Sequence, residues 1–258
     1  MTQSEKRLFL IQSLLKERPE YRQMETPRDP EGQRQLLRGL MNVRPPQAAD
    51  PDFLRVQDAY LQAEIAARGI TDLADLTPVQ PGLYVWQGDI TTLRCDAIVN
   101  AANSGMTGCY VPNHRCIDNA IHTYAGVELR LACEKLMEQQ GCPEPTGQAK
   151  ITPAFNLPCR YVLHTVGPIV QDRVTRRDRE LLASCYRSCL ELAAENRLES
   201  VAFCCISTGI FHFPNQPAAE IAMKTVRDFL AGNTSVKKVI FNVFKDQDNE
   251  IYHRLLSR

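Results

Sequence analysis

Ile98-Val99-Asn100-Ala101-Ala102-Asn103-Ser104-Gly105 sets a short apolar run directly before two asparagines spaced around small alanines. The segment Ala97–Asn100 reads as a β-strand from its branched residues. Ala101 to Gly105 reads as the loop beyond its carboxyl end. In sheets whose strands alternate with helices, ligands settle on loops of this kind. Asparagine amides flanked by alanine offer donors and acceptors to a sugar with little bulk in the way. Alone, the same residues read more readily as turn asparagines, so the surroundings decide.

On both sides of that stretch, strand and helix alternate from Pro81 to the end. Leu83–Gln87 reads as a strand, and Cys116–Gln139 as one long helix closed by Gly141. Strands are expected at Ala149–Ile151 and Tyr161–Thr165, then a helix over Asp178–Asn196. Val201–Ile206 is a near-continuous apolar run, the pattern of a strand covered on both faces. A helix over Gln216–Ala231, a strand over Val239–Phe244 and a closing helix over Glu250–Leu256 complete the rhythm. Such alternation implies a three-layer α/β domain. Upstream the pattern is helical instead. Leu8, Leu10, Ile11, Leu14 and Leu15 approximate an apolar stripe. A second helix runs over Glu31–Asn42, and a third over Asp52–Arg68, introduced by Asp50-Pro51 and ended by Gly69. The reading divides the chain into a helical N-terminal extension, residues 1–78, and an α/β domain, residues 79–258.

Composition narrows the function classes. Lys+Arg and Asp+Glu both number 30, and the net charge is zero, which argues against a general nucleic-acid binder. No apolar segment approaches a membrane span, and the first residues lack the core of a signal peptide. Ten cysteines without an export signal point to reduced thiols in a cytoplasmic protein, with Cys204 and Cys205 as small buried hydrophobes.

Further loops carry chemistry. Gln87-Gly88-Asp89-Ile90 follows a strand, and a carboxylate there accepts a hydrogen bond from an exocyclic amine. Ser207-Thr208-Gly209-Ile210-Phe211 follows the apolar run, where backbone N–H groups form a cradle for a diphosphate. The ordered set Gly88-Asp89-Ile90, Ile98 to Asn103, His164 to Pro168 and Ser207 to Phe211 strongly resembles the macrodomain family over residues 82 to 258. The resemblance implies a mixed central sheet between helices and a pocket for ADP-ribose. By it, Asp89 holds the adenine amine and Ile90 packs near the ring. Asn103 contacts the distal ribose. Ser207, Thr208, Gly209, Ile210 and Phe211 embrace the diphosphate, with Phe211 beside that ribose.

The chain departs from the family pattern after Asn103. Many hydrolytic macrodomains carry a run of glycines there. Here Cys109, His114 and Cys116 form a C-x4-H-x-C cluster. Thiolates and imidazole are the ligands zinc prefers, and three protein ligands leave the open position that catalysis requires. Residue types alone also allow two packed thiols beside a surface histidine. The place in the substrate loop favours zinc, and so does resemblance to the zinc-dependent macrodomain subgroup, which removes ADP-ribose from proteins and carries an N-terminal helical extension. Cys133 or Cys142 could close the site as a fourth thiolate; the open site is preferred. Asp118, aligned with the Val-Asp of related hydrolases, is either a first-turn residue that favours the helix dipole or a base that activates water. His122 and His164 read as structural histidines, and His212 as a residue of the rim.

The expected protein is therefore a Zn2+-dependent hydrolase acting on mono-ADP-ribosylated protein. Linkage to Asp or Glu side chains is what the resemblance implies. Asn103 and Asp118 are the catalytic candidates, and zinc acts as a Lewis acid or by activating water. Three other readings remain: a non-catalytic reader of ADP-ribose marks, a deacetylase of O-acetyl-ADP-ribose, and a metal-stabilised interaction protein without affinity for ADP-ribose.

Overall fold

The computed structural model describes residues 1–21, 23–232 and 234–257. The chain begins with helices α1 (Gln3–Glu17), α2 (Pro30–Val43) and α3 (Pro51–Arg68). Thr2 and Glu5 close a capping box on α1. Asp29 and Asp50 cap α2 and α3 through their side chains, each with proline in the first turn, where its missing N–H has no partner to lose. The inner faces of these helices bury Leu10, Ile11, Leu37, Leu40, Phe53 and Tyr60 in a core of their own. Leu14 joins them, whereas Leu8 and Leu15 of the expected stripe lie half-buried at the margin.

Beyond the helices come β1 (Thr71–Asp72), β2 (Leu83–Gln87), β3 (Leu93–Arg94), β4 (Ala97–Ala102), α4 (Ile117–Ala125), α5 (Val127–Gln140), β5 (Ala149–Pro153) and β6 (Tyr161–Val166). The remaining elements are α6 (Arg176–Glu195), β7 (Ser200–Phe203), α7 (Asn215–Leu230), β8 (Lys238–Val243) and α8 (Asp246–Leu256). The central sheet has six strands in the order β2-β8-β7-β4-β6-β5. All neighbours run parallel except β5 against β6, so the sheet is mixed and flanked by helices. Strands β4 and β7 lie at its middle, and Ile98, Val99, Val201, Ala202 and Phe203 are buried in the main core. The short β1 and β3 pair as a separate parallel ribbon. Among the described residues, no helix is long and apolar enough to cross a membrane.

Two expectations need correction. The long helix over Cys116–Gln139 is two helices, because Gly126 sits at φ 101°, ψ 173°. That region is open essentially to glycine alone. Gln57 of α3 occupies the break: its Oε1 accepts the Val127 N–H at 2.8 Å, and a Cβ on Gly126 would lie 2.7 Å from its Nε2. The apolar run Val201–Ile206 also overstates its strand, which ends at Phe203, the last residue in register with both Val99 and Phe241. Cys204 and Ile206 remain apolar because the root of the next loop is buried, although it lies outside the ladder.

Candidate active site

Because β2, β8, β7, β4 and β6 are parallel, their carboxyl ends open on one edge of the sheet, and the loops after β2, β4, β6 and β7 gather there. Asp89 caps a 3-10 turn over Ile90–Thr92. Its Oδ1 accepts from the Thr91 N–H at 2.9 Å and the Thr91 hydroxyl at 2.6 Å. Its other oxygen is ion-paired to Arg68, the last residue of α3. The Arg68 guanidinium also lies 3.7 Å from the centre of the Tyr124 ring. Ile90 is buried in the main core, so its side chain anchors the turn from beneath.

The asparagines around Ala101-Ala102 separate sharply. Asn100 is fully buried, and its amide donates to Asp118 Oδ1 at 2.8 Å and meets His164 Nδ1 at 3.2 Å. With the amide donating, His164 Nδ1 is an acceptor, so its proton resides on Nε2, which lies 2.9 Å from the Thr152 hydroxyl. Asn103 is exposed. Its Nδ2 reaches the Gly108 carbonyl at 3.1 Å and Asp118 Oδ2 at 3.4 Å, while its Oδ1 accepts the Gly105 N–H at 2.9 Å. Asp118 thus stands beneath the loop, held by both asparagines at the start of α4. Burial raises its carboxyl to about 6, against the lowering effects of the Asn100 bond and the Arg130 charge. His122 Nε2 stands 3.6 Å from Asp118 Oδ1, and burial holds this imidazole well below its ordinary pKa.

The loop between β4 and α4 brings Cys109, His114 and Cys116 together, with their ligand atoms within 4.8 Å of one another. Bond lengths of about 2.3 Å to sulfur and about 2.1 Å to nitrogen in a tetrahedral site place those donors about 3.6 Å apart. Cys109 Sγ and His114 Nδ1 are separated by 3.5 Å, so the pair fits a common ion without rearrangement. All three residues are half-buried, which leaves an approach for a further ligand. Burial pushes the Cys116 thiol up to about 12, opposed by the Asn119 N–H and assisted by Cys109; a metal here would displace that proton. Cys133 lies elsewhere, buried beside His122 and His164, and Cys142 is exposed.

The loop Cys204–Pro214 leads into α7. Among the described residues, the N–H groups of Gly209, Ile210 and Phe211 meet no protein acceptor, as an anion cradle requires. Ser207 adopts φ 65° and His212 φ 58°, a left-handed backbone uncommon outside glycine. The buried Ser207 Oγ has no partner among the described residues. A Cβ on Gly167 would stand 2.0 Å from it, so the His164–Pro168 segment can pass this close only with glycine there. Val170 N–H donates to the Phe211 carbonyl at 2.9 Å and ties the two loops together.

The Macro domain family profile matches residues 99–222. A protein from Treponema medium named "Protein-ADP-ribose hydrolase" is 60% identical over the whole length of both chains. The chain belongs to the macrodomain family. A protein of the same name from Staphylococcus aureus (strain MSSA476) is 48% identical, covering 97% of this chain and 94% of its own length. Among solved structures, the Oceanobacillus iheyensis macrodomain with ADP superimposes with a TM-score of 0.63 at 38% identity, covering 70% of this chain and 94% of its own. A Trypanosoma brucei macrodomain in complex with ADP-ribose gives 0.66 at 29% identity, covering 84% and 94%.

Within this macrodomain the structure brings Asn103, Asp118, Cys109, His114 and Cys116 into one region, and places Asp89 and Ser207 to Phe211 on the same sheet edge. His212 is exposed on the rim. Sequence reasoning missed Arg68. A basic residue in a last helical turn reads as a partner for the helix dipole, and nothing in its spacing announces a carboxylate at Asp89. Arg38 and Asn119, which hold the loop of Cys109, His114 and Cys116 from behind, were equally silent.

Proposed function

We propose that this macrodomain is a hydrolase that removes mono-ADP-ribose from modified protein side chains, with a zinc ion held by Cys109, His114 and Cys116. The observation that carries the reading is the convergence of those donors on the loop that begins at Asn103 and ends above Asp118. The names of the Treponema and Staphylococcus relatives support the reaction class. The solved macrodomains with ADP and ADP-ribose support the ligand.

In this reading Asp89 receives the adenine amine and the Ser207–Phe211 loop takes the diphosphate on its free N–H groups. Asn103 fixes the distal ribose, so attack on the linkage becomes nearly intramolecular. Asp118 orients the Asn103 amide from below. With its carboxyl raised to about 6, it is ionised at neutral pH yet basic enough to accept a proton from water. Cys109, His114 and Cys116 would hold the zinc, which would supply Lewis acidity to the hydrolysis. The linkage proposed is an ester to Asp or Glu.

The test is hydrolysis of mono-ADP-ribosylated protein before and after chelation, with zinc content measured alongside and Asp/Glu-, Ser- and Arg-linked substrates compared. Activity on the ester that falls with zinc loss and returns on zinc addition is expected. A zinc-loaded protein that binds ADP-ribose but turns over none of these substrates would be a reader, and the proposal would be wrong.

A further inference from the structure

The loop that carries Cys109, His114 and Cys116 has little internal order. Met106 at φ 63° and Asn113 at φ 56° hold left-handed backbone, and among the described residues no helix or strand spans 103–116. Short turns around Asn103 and Val111 order its ends, and α2 braces it from outside. Arg38 Nη2 donates to the backbone carbonyl of His114 at 3.1 Å. The same guanidinium holds Asn119 Oδ1 through Nη2 at 2.9 Å and Nε at 3.3 Å. Asn119 is itself fully buried and forms the other half of the device. Its Nδ2 donates to the Val111 carbonyl at 3.0 Å, and its backbone N–H donates to Cys116 Sγ at 3.4 Å. Asn42, one turn further along α2, accepts the Asn113 N–H at 3.0 Å and donates to Thr123 at 3.0 Å. Between them Gly39 presents no side chain; a Cβ there would stand 3.4 Å from Asn113 Nδ2.

We infer that α2 of the N-terminal extension is the template of the metal loop, with Arg38 as a positioning residue that sets His114 directly and, through the Asn119 side chain, the Val111 carbonyl of the same loop, while the first turn of α4 holds Cys116. The inference rests on the proposed zinc reading and gives the extension a task within it. A planar guanidinium suits this role, because two donors in fixed relation fix two acceptors at once, and partners behind metal ligands commonly govern metal affinity by roughly 10- to 100-fold. Arg38 is half-buried, so its replacement leaves the apolar faces of α2 intact.

The test uses the full chain with zinc alone, and cobalt(II) as a spectroscopic substitute. Zinc affinity is measured by competition with a chromophoric chelator for wild type, Arg38→Gln and Arg38→Lys, with ADP-ribose affinity of the metal-free proteins in parallel. Arg38→Gln is expected to weaken zinc by roughly 10-fold or more, to shift the cobalt(II) absorption bands, and to leave ADP-ribose affinity unchanged. Arg38→Lys, which keeps the charge but offers a compact donor, is expected to recover part of the loss and serves as the readout if the glutamine variant is unstable. Unaltered zinc affinity in folded Arg38→Gln, or full recovery by lysine, would overturn the template. A wild-type chain that takes up no zinc would overturn the template and the zinc reading together.

Discussion

Asn100 and Asn103 are indistinguishable by type, yet one is buried inside the sheet and the other lies exposed at the root of the loop. The difference follows from the strand: Asn100 is still in register with His164, whereas Asn103 lies past the last paired residue, Ala102. Asp118 collects both amides while buried, so its charge opposes folding, and in the proposed reading it serves as the general base. Replacing it with asparagine is expected to lower kcat by roughly 100- to 10,000-fold, the range for a lost general base. The same change should raise stability at pH 7. A rise from 3.8 to about 6 limits that gain to about 3 kcal/mol, and the lost acceptor for Asn103 reduces it further. Turnover and urea unfolding on one preparation check both signs; a variant that loses rate and stability together would contradict the assignment. His164 gives a second test. Burial lowers its imidazole from 6.5 to about 3, so below pH 6.5 the unfolded chain binds a proton that the folded chain refuses. Stability is therefore full above about pH 6.5 and falls toward pH 3, with a limiting slope of about 1.4 kcal/mol per pH unit from this group. Urea midpoints between pH 7 and pH 5 should show the decline, and His164→Gln should lessen it.

Among the elements, strands were legible wherever period and composition agreed. Leu83–Gln87 matches its expected bounds, and Tyr161–Val166 exceeds them by one residue. Both are apolar runs bounded by polar or turn-forming residues, and a parallel sheet needs little more. The break inside Cys116–Gln139 was not legible, because a lone glycine within a helical window costs only about 1 kcal/mol and reads as tolerated. What turns Gly126 into a boundary is Gln57, a residue of another helix, and no local pattern contains that fact. The loop of Cys109, His114 and Cys116 shows the same division. Their convergence could be read from their spacing, while the α2 residues that hold the loop could not. Gly126→Ala tests the point for the helix pair. The alanine must leave a backbone region that costs it about 1–3 kcal/mol or push Gln57 off Val127. Urea unfolding should show a loss within or above that range, whereas Gly141→Ala, at an αL cap with open space around it, should cost about 1 kcal/mol. Equal losses at the two glycines would remove Gln57 from the explanation.

For the chain taken entire, the question is whether two hydrophobic cores make two folding units. Chains of this size frequently unfold in parts, and the helices α1 to α3 have a core separate from that of the sheet. Several links oppose independence. Val127 of α5 belongs to the helical core, and Gln57 supplies the cap of its helix. Buried Arg130, also on α5, donates to the carbonyls of Asn42 at 2.7 Å and Arg44 at 2.5 Å, where α2 ends, and to Thr107 of the metal loop at 2.7 Å. Opening the helices would strip the Arg130 Nη1 and the Val127 N–H of their partners, and a buried donor left unsatisfied costs about 1–3 kcal/mol or more if charged. The two cores should therefore open together. Leu10→Ala probes this from the far end, since Leu10 is fully buried among the N-terminal helices. The substitution should cost about 2–5 kcal/mol. In native-state hydrogen exchange, the slowest amides of β4 and β7 should then accelerate by the same factor as those of α1 and α3. Acceleration confined to α1–α3 would mean that the extension opens by itself. In that case the loop of Cys109, His114 and Cys116 would lose its α2 contacts each time the helices open, while the sheet and the Ser207–Phe211 loop remained folded, and on the zinc reading zinc retention would track the helices rather than the global stability.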